Sequence, residues 1–120
     1  MLIKSTKAVP AFLAGDKTTL RELLHPKNDH LDFGFSLAHC KVAVGNQSIP
    51  HTLAQSETYY ILEGQGKIFI GEEEANLQKG DLVFVPAKKE QFIQNIGSTE
   101  LVFLVIVSPP WTEEGEIILE

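Results

Sequence analysis

The sequence predicts an all-β domain, either a sandwich or a barrel, on three observations. Short runs of β-branched and aromatic residues alternate with turn residues about every eight to twelve positions. No window keeps a helical period for more than a turn or two. The length of 120 residues suits one hydrophobic core. We therefore expect a single domain over residues 1–120.

The predicted strands are bounded by residues that end extended structure. The first breaks before His25 and Pro26, where proline biases the preceding residue to extended geometry, and Gly45 and Pro86 end later strands. The segment 71–74, a glycine followed by three glutamates, reads as a solvated hairpin tip between turns at 63–66 and 79–81. Residues 111–116 are the best candidate for a helical turn. The predicted strands are 18–24, 33–44, 51–53, 58–62, 67–70, 82–85, 91–96 and 101–107.

Composition and charge exclude several classes of function. The formal net charge is −6 and Lys and Arg do not cluster, so we expect no nucleic-acid partner. The longest aliphatic run, 101–107, is too short to span a bilayer, and no secretory signal is evident, so we expect no membrane partner and a cytoplasmic protein. The lone Cys40 cannot form an internal disulfide and is expected to be a buried small side chain.

The same aliphatic run suggests an oligomer. Residues 101–107 show no polar alternation, so both faces of this strand should be covered. In a domain this small, a partner subunit could cover the second face. We therefore expect a homodimer.

A first spaced motif occupies residues 45–64. Gly45 is followed after five residues by His51, then by Leu53, then after three residues by Glu57, and after six more by Gly64. These spacings resemble those of the first motif of the cupin family. The family motif has a second histidine at the position of Leu53.

A second spaced motif occupies residues 80–95. Gly80 precedes Pro86 by the expected interval, and Asn95 closes the motif as a turn hydrogen-bonder. The order resembles the second cupin motif, with Lys88 where glycine is usual and Gln91 where histidine is usual. The two motifs together identify the chain as a member of the cupin family, similar to small single-domain cupins. The resemblance implies a double-stranded β-helix, a jelly-roll-like barrel, over residues 1–120.

The resemblance also implies a metal centre in the barrel. Metal-binding cupins gather three histidines and one glutamate on one divalent ion. Here His51, Glu57 and the amide oxygen of Gln91 stand at three of those positions, and His39 or His25 could supply a further ligand. Zn, Ni, Fe, Mn and Cu all suit such a set. Physical chemistry supports a site role for Glu57, because a carboxylate inside a barrel must be paired, hydrogen-bonded or bound to an ion.

Three functions remain open on the sequence. The first is a metal-dependent oxidoreductase or isomerase acting on a small oxygenated molecule, with Glu57 and Tyr59 as the candidate catalytic residues. The second is a metal-free module that binds a small polar ligand through His51, Gln91 and Tyr59 after decay of the metal site. The third is an isomerase that uses His51 as base, Tyr59 as acid and Glu57 as orienter, whose activity would survive chelators.

We predict that Leu53→His raises metal affinity, because it adds an imidazole on the same face as His51. Isothermal titration of the variant and the parent with Zn²⁺ measures the change. An unchanged affinity would mean that side chain 53 does not point at the site.

Overall fold

Two antiparallel sheets form the computed structural model, which describes residues 1–120. A 3-10 turn at Thr6–Ala8 and a four-residue helix α1 (Pro26–Asp29) are the only helical pieces, and no helix is long and apolar enough to cross a membrane. The strands are β1 (Phe12–Leu13), β2 (Thr19–Leu24), β3 (Ser36–Val42), β4 (His51–Leu53), β5 (Ser56–Glu63), β6 (Gln65–Ile70), β7 (Glu73–Gln78), β8 (Leu82–Val85), β9 (Gln91–Asn95), β10 (Leu101–Ser108) and β11 (Glu116–Ile118).

The two sheets face each other across a common core. Sheet I has the order β1-β2-β3-β10-β5-β8, and sheet II has the order β11-β4-β9-β6-β7. Along β3 and β9, buried and half-buried residues alternate, because successive side chains of a strand point to opposite faces. The inward residues form one hydrophobic cluster: Ala38, Cys40, Val42, Tyr59, Ile61, Ile68, Leu77, Val85, Ile93, Leu101, Phe103 and Val105. The predicted all-β barrel is confirmed, and so is the burial of Cys40.

Most predicted strands are confirmed to within a few residues. Segments 51–53 and 82–85 match β4 and β8, whereas the strand predicted over 33–44 is shorter and runs Ser36–Val42. The charged segment 71–74 is only partly a turn, since β7 starts at Glu73. Five of its six side chains are exposed, so β7 is held by backbone pairing to β6 and carries little hydrophobic signal.

The helical turn predicted over 111–116 is wrong. Residues 113–115 form a hydrogen-bonded turn, with Glu116 N–H donating to the Glu113 carbonyl at 3.3 Å, and β11 begins at Glu116. The sequence predicted neither β11 nor β1, which have three and two residues. These short strands close the end of the barrel where the candidate site lies.

Two motif positions are explained by backbone conformation. Gly64 has φ +86° and separates β5 from β6, and a Cβ there would lie 2.7 Å from the Glu100 carbonyl oxygen. Lys88, at the position where the motif has glycine, has φ +70°, and its N–H donates to the Leu53 carbonyl at 2.7 Å. Asn95 is the predicted turn hydrogen-bonder: its amide donates to the carbonyls of Val42 and Thr99, and its oxygen accepts from Gly97 N–H.

Candidate metal centre

The two sheets bring the central motif residues together inside the barrel. His51 on β4 and Gln91 on β9 are directly opposite each other in the sheet II register, and both are buried. Glu57 enters from β5 of sheet I and is only 7% exposed. The centre therefore sits between the two sheets, where few polar groups can find partners.

The His51 ring is held in an orientation that directs its Nε2 atom to the barrel interior. Its Nδ1 lies 2.8 Å from the Ile49 carbonyl oxygen, which can only accept, so Nδ1 carries the proton and donates it. The other nitrogen, Nε2, lies 3.8 Å from Asp16 Oδ2 and 4.0 Å from Glu57 Oε1. In neutral His51, the Nε2 lone pair therefore faces two carboxylates.

Asp16 reaches this position from the turn after β1. Its Oδ1 accepts from the Thr18 N–H at 3.1 Å and from the Thr18 hydroxyl at 2.8 Å, which leaves Oδ2 directed toward His51. The Asp16 carbonyl also accepts from Ile49 N–H at 2.8 Å. Ile49 thus contacts both Asp16 and His51 through its backbone and fixes their relative placement.

Glu116 arrives from the other end of the chain. It pairs with Leu53 in the register of β11 and β4, so its side chain shares the face of Leu53 and His51. The carboxylate therefore lies beside the position at which the motif usually has its second histidine. A Cβ at Gly15 would lie 3.3 Å from Glu116 Oε1, so glycine at that position leaves room for the carboxylate.

Three ligating groups from separate segments meet here. The side-chain ligand atoms of Asp16, His51 and Glu116 all lie within 4.8 Å of one another. Two ligands at about 2.0–2.2 Å from one ion can be at most about 4.4 Å apart. The distances from His51 Nε2 to Asp16 and Glu57 fall within that limit and exceed a direct hydrogen bond. For all four side chains to bind one ion, their ligand atoms would have to move closer together than they lie here.

Glu57 carries the strongest electrostatic signature of the site. Burial, and after it the negative charges of Asp16 and Glu116, raise its pKa from 4.5 to about 8, and hydrogen bonds with Gln91 and Tyr59 oppose part of this rise. Burial and Asp16 also raise the pKa of Glu116, which His51 opposes. Glu57 Oε1 is buried without a hydrogen-bond partner. A buried acceptor without a partner costs about 1–3 kcal/mol, and a bound cation would remove that cost.

Gln91 and Tyr59 form a hydrogen-bonded pair behind Glu57. The Tyr59 hydroxyl donates to Gln91 Oε1, so the amide oxygen predicted as a metal ligand is engaged by Tyr59. The Tyr59 ring packs against Phe103 with centroids 5.3 Å apart, and burial raises the pKa of its phenol. Both side chains of the pair lie next to the Glu57 carboxyl group.

The two additional histidines lie away from this cluster. His39 is on β3 between buried Ala38 and Cys40, so its side chain is on the outer face, near Arg21. Burial there and the charges of Lys41 and Arg21 lower its pKa.

Both ring nitrogens of His25 are engaged. Nε2 bonds to the Trp111 carbonyl at 2.8 Å, and Nδ1 accepts from Lys27 N–H at 3.1 Å. The structure therefore supplies carboxylates from Asp16 and Glu116 where the sequence suggested His39 or His25. An aspartate after a two-residue strand and a glutamate in an acidic tail carried no motif signal.

Comparison with known proteins gives a family match and related sequences. The family model described as Cupin domain matches residues 38–107. An uncharacterized protein of Methanocaldococcus jannaschii is 36% identical over 113 residues, which cover 93% of this chain and 90% of that protein. An uncharacterized protein of Streptomyces coelicolor is 38% identical over 61 residues, covering 51% of this chain and 55% of that protein. Asp16 and Glu116 lie outside the residues matched by the family model.

Solved structures share the fold at low identity. The polyketide cyclase RemF from Streptomyces resistomycificus has a TM-score of 0.79 at 21% identity, covering 90% of this chain and 79% of that one. A predicted oxalate decarboxylase from Thermotoga maritima has the same TM-score and identity, covering 90% of this chain and 99% of that one. These similarities establish the predicted double-stranded β-helix as the fold.

The metal-free protein is expected to lose stability as the pH rises. Glu57 binds its proton more tightly in the folded than in the unfolded chain, so between about pH 4.5 and pH 8 the folded state holds more protons. The free energy of unfolding then falls with rising pH, by on the order of a few kcal/mol across the window. Urea denaturation of chelator-treated protein at pH 5, 6.5 and 8 measures this trend.

Glu57→Gln should flatten the profile, because the amide cannot titrate. Glu72→Gln, at an exposed turn residue, is the matched control and should keep the slope of the parent. Equal slopes for parent and Glu57→Gln would contradict the assigned ionisation.

Proposed function

Because this chain belongs to the cupin family, we propose that residues 1–120 act as one cupin domain that binds a divalent metal ion and a small oxygenated molecule inside its barrel. The ion would be held by His51, Glu57, Asp16 and Glu116. The activity that fits is that of a metal-dependent oxidoreductase or isomerase.

The observation that carries this function is the set of acceptors around His51 Nε2. Nε2 of His51, whose ring is oriented by the Ile49 carbonyl, lies 3.8 Å from Asp16 Oδ2 and 4.0 Å from Glu57 Oε1. Neither Lys nor Arg forms a salt bridge with Asp16, Glu57 or Glu116. Buried carboxylates are normally paired with cations or bound to metals. A divalent cation satisfies this group of acceptors best.

The types of ligand in this site restrict which divalent metals it would bind. One imidazole and three carboxylates suit Mn, Fe and Zn, and Ni or Cu would accept the imidazole with less benefit from the oxygens. When bound, such an ion supplies Lewis acidity or redox chemistry to an oxygenated substrate. The chain supplies the rest: the Ile49 carbonyl orients His51, and the turn at Thr18 orients Asp16.

Glu57 is the proposed proton-transfer group if a substrate takes its place as a ligand. In the metal-free chain the pKa of Glu57 is raised to about 8, so its carboxyl can hold a proton near neutral pH. A bound ion would favour the ionised form and so promote release of that proton. Tyr59 is proposed to act through Gln91, since its hydroxyl donates to the amide oxygen. Tyr59 is therefore a positioning residue in this scheme.

A metal-free ligand-binding module is the second candidate. The raised pKa of Glu57 favours it, because a protonated carboxyl is uncharged at neutral pH and can donate to a bound ligand. The isomerase that uses His51 as base and Tyr59 as acid has less support, because the Tyr59 hydroxyl is engaged by Gln91. Activity that survives chelation would favour these metal-free functions over the first.

We expect metal binding to depend on the two flanking carboxylates as well as on the motif residues. Asp16→Asn and Glu116→Gln should each weaken Zn²⁺ binding by at least about tenfold, because each removes a charged ligand. Glu57→Ala should do the same. Elemental mass spectrometry of tag-free protein, followed by competition with a chelator of known affinity, measures the loss.

Glu113→Gln, in the exposed turn before β11, is the control and should bind Zn²⁺ like the parent. Unchanged affinity in both Asp16→Asn and Glu116→Gln would restrict the centre to the motif residues. Absence of metal after incubation with each of Zn, Ni, Fe, Mn and Cu would place the metal-free module first.

We also propose a homodimer formed through the outer face of sheet I, together with the cytoplasmic location and the absence of a nucleic-acid partner that the sequence suggested. Leu82 and Phe84 on the edge strand β8 are 62% and 57% exposed. They lie opposite Tyr60 and Thr58, which lie opposite Leu104 and Ile106 of β10.

The occupant that fits this patch is a second copy of the chain. Edge strands of monomers usually carry charge or proline, whereas residues 82–85 are all apolar. A self-pairing apolar face would also cover the outer side of β10. Both features are explained by one isologous interface.

Phe84→Lys should convert the dimer to a monomer without unfolding it, because the side chain is exposed in the single chain and a charge in an apolar interface is costly. Light scattering coupled to size exclusion measures the mass. Val44→Lys, at an exposed apolar residue in the turn after β3, should remain dimeric. A monomeric parent at micromolar concentration would contradict the interface.

A further inference from the structure

An apolar cavity of about 100 Å³ adjoins the candidate metal centre. Glu57 and Glu116 belong both to the cluster around His51 and to the cavity wall. Phe12 is 53% exposed and stands at the rim. The apolar side chains of the wall are Phe12, Ala14, Leu20, Ala38, Val105, Val107 and Trp111.

The polar part of the wall is acidic. Its ionisable residues are Glu22, Glu57 and Glu116, and no Lys, Arg or His lines the cavity. Glu22 accepts from the Asn28 amide and forms no salt bridge. Ser36 is the remaining polar residue of the wall, and its oxygen accepts from the Trp111 N–H at 3.0 Å.

The charge of the site stays negative when a metal is bound. With Asp16, Glu57 and Glu116 all ionised as ligands, a divalent ion would offset only two of their three negative charges, and ionised Glu22 would add another. A substrate carboxylate entering this cavity would meet repulsion from these carboxylates, of which Glu57 is buried and the others half-buried, so that solvent screens them less than surface charges. An uncharged oxygen atom can approach the ion without that penalty.

Size sets a second limit. An apolar cavity of about 150 Å³ is known to hold a benzene-sized ligand. The cavity here therefore has room for roughly four or five non-hydrogen atoms. Most of those atoms would lie against apolar side chains.

We infer that the cavity binds a small uncharged carbonyl or hydroxyl compound, with its oxygen toward the metal centre and a body of two or three carbons on the apolar wall, and that it discriminates against carboxylates. This inference rests on the proposed metal site for the placement of the oxygen. The apolar wall and the acidic residues are properties of the chain itself.

Propionamide and propionate test the charge preference, because the two molecules have nearly the same shape and differ in charge. We expect Zn²⁺-loaded protein to bind propionamide at least about tenfold more tightly than propionate, in NMR titrations that follow the backbone amides of residues 12–15 and 105–107. Equal or tighter binding of propionate would overturn the inference. Tighter binding of propylammonium than of propionamide would also overturn it, because an ammonium has no lone pair to offer a metal.

Glu22→Gln separates the charge of the wall from the metal cluster. Glu22 is not one of the proposed ligands, so the variant should retain Zn²⁺ and reduce the preference for propionamide over propionate by severalfold. Glu72→Gln, outside the cavity, should keep the full preference. An unchanged preference in Glu22→Gln would contradict the electrostatic origin of the selectivity.

Failure of this inference and failure of the metal proposal give different results. If the protein takes up no metal, the same titrations on metal-free protein still test the wall, and propionamide should again bind more tightly than propionate. If the protein takes up Zn²⁺ and favours propionate, the metal site stands and the substrate class assigned here is wrong.

Discussion

Repulsion among one buried and two half-buried carboxylates is the constraint that shapes this end of the barrel. Asp16, Glu57 and Glu116 lie close to the His51 imidazole, and like charges at such distances destabilise one another where solvent screens them only partly. The chain holds them there with backbone contacts: Ile49 bonds to both Asp16 and His51, and β11 pairs with β4. Rigid placement of mutually repelling acceptors is a property expected of a site built to bind a cation.

The segments that flank the two motifs supply metal ligands that the motifs lack. Leu53 occupies the position of the second motif histidine, and its hydrocarbon side chain has no atom that can bind a metal. Glu116 lies directly opposite it across the β4–β11 pair and brings a carboxylate to the same face. Asp16 does the same from the N-terminal side. A divalent ion bound by three imidazoles and one carboxylate leaves the centre with a net positive charge. With one imidazole and three carboxylates the net charge of the loaded centre is negative. This difference would alter both the metal and the ligands that the centre accepts.

How much of this was readable from the sequence depended on the strength of the local signal. The spacing from Gly45 to Gly64 and from Gly80 to Asn95 predicted the family, the fold and the positions of His51, Glu57 and Gln91 in one interior region. The sequence did not predict Asp16 and Glu116 as site residues, because β1 and β11 are too short to show a periodic pattern and are positioned by tertiary pairing. The sequence did not predict strand β7, because its side chains are mostly exposed and polar.

The direct test of a metal centre completed by the flanking segments is anomalous diffraction from crystals of the protein loaded with Zn²⁺. We expect a single strong anomalous peak at bonding distance, about 2.0–2.2 Å, from His51 Nε2 and from carboxylate oxygens of Glu57, Asp16 and Glu116. A peak bonded to His51 and Glu57, with Asp16 and Glu116 turned away from it, would contradict the role assigned to the flanking segments. A peak elsewhere, or none, would contradict the metal centre itself.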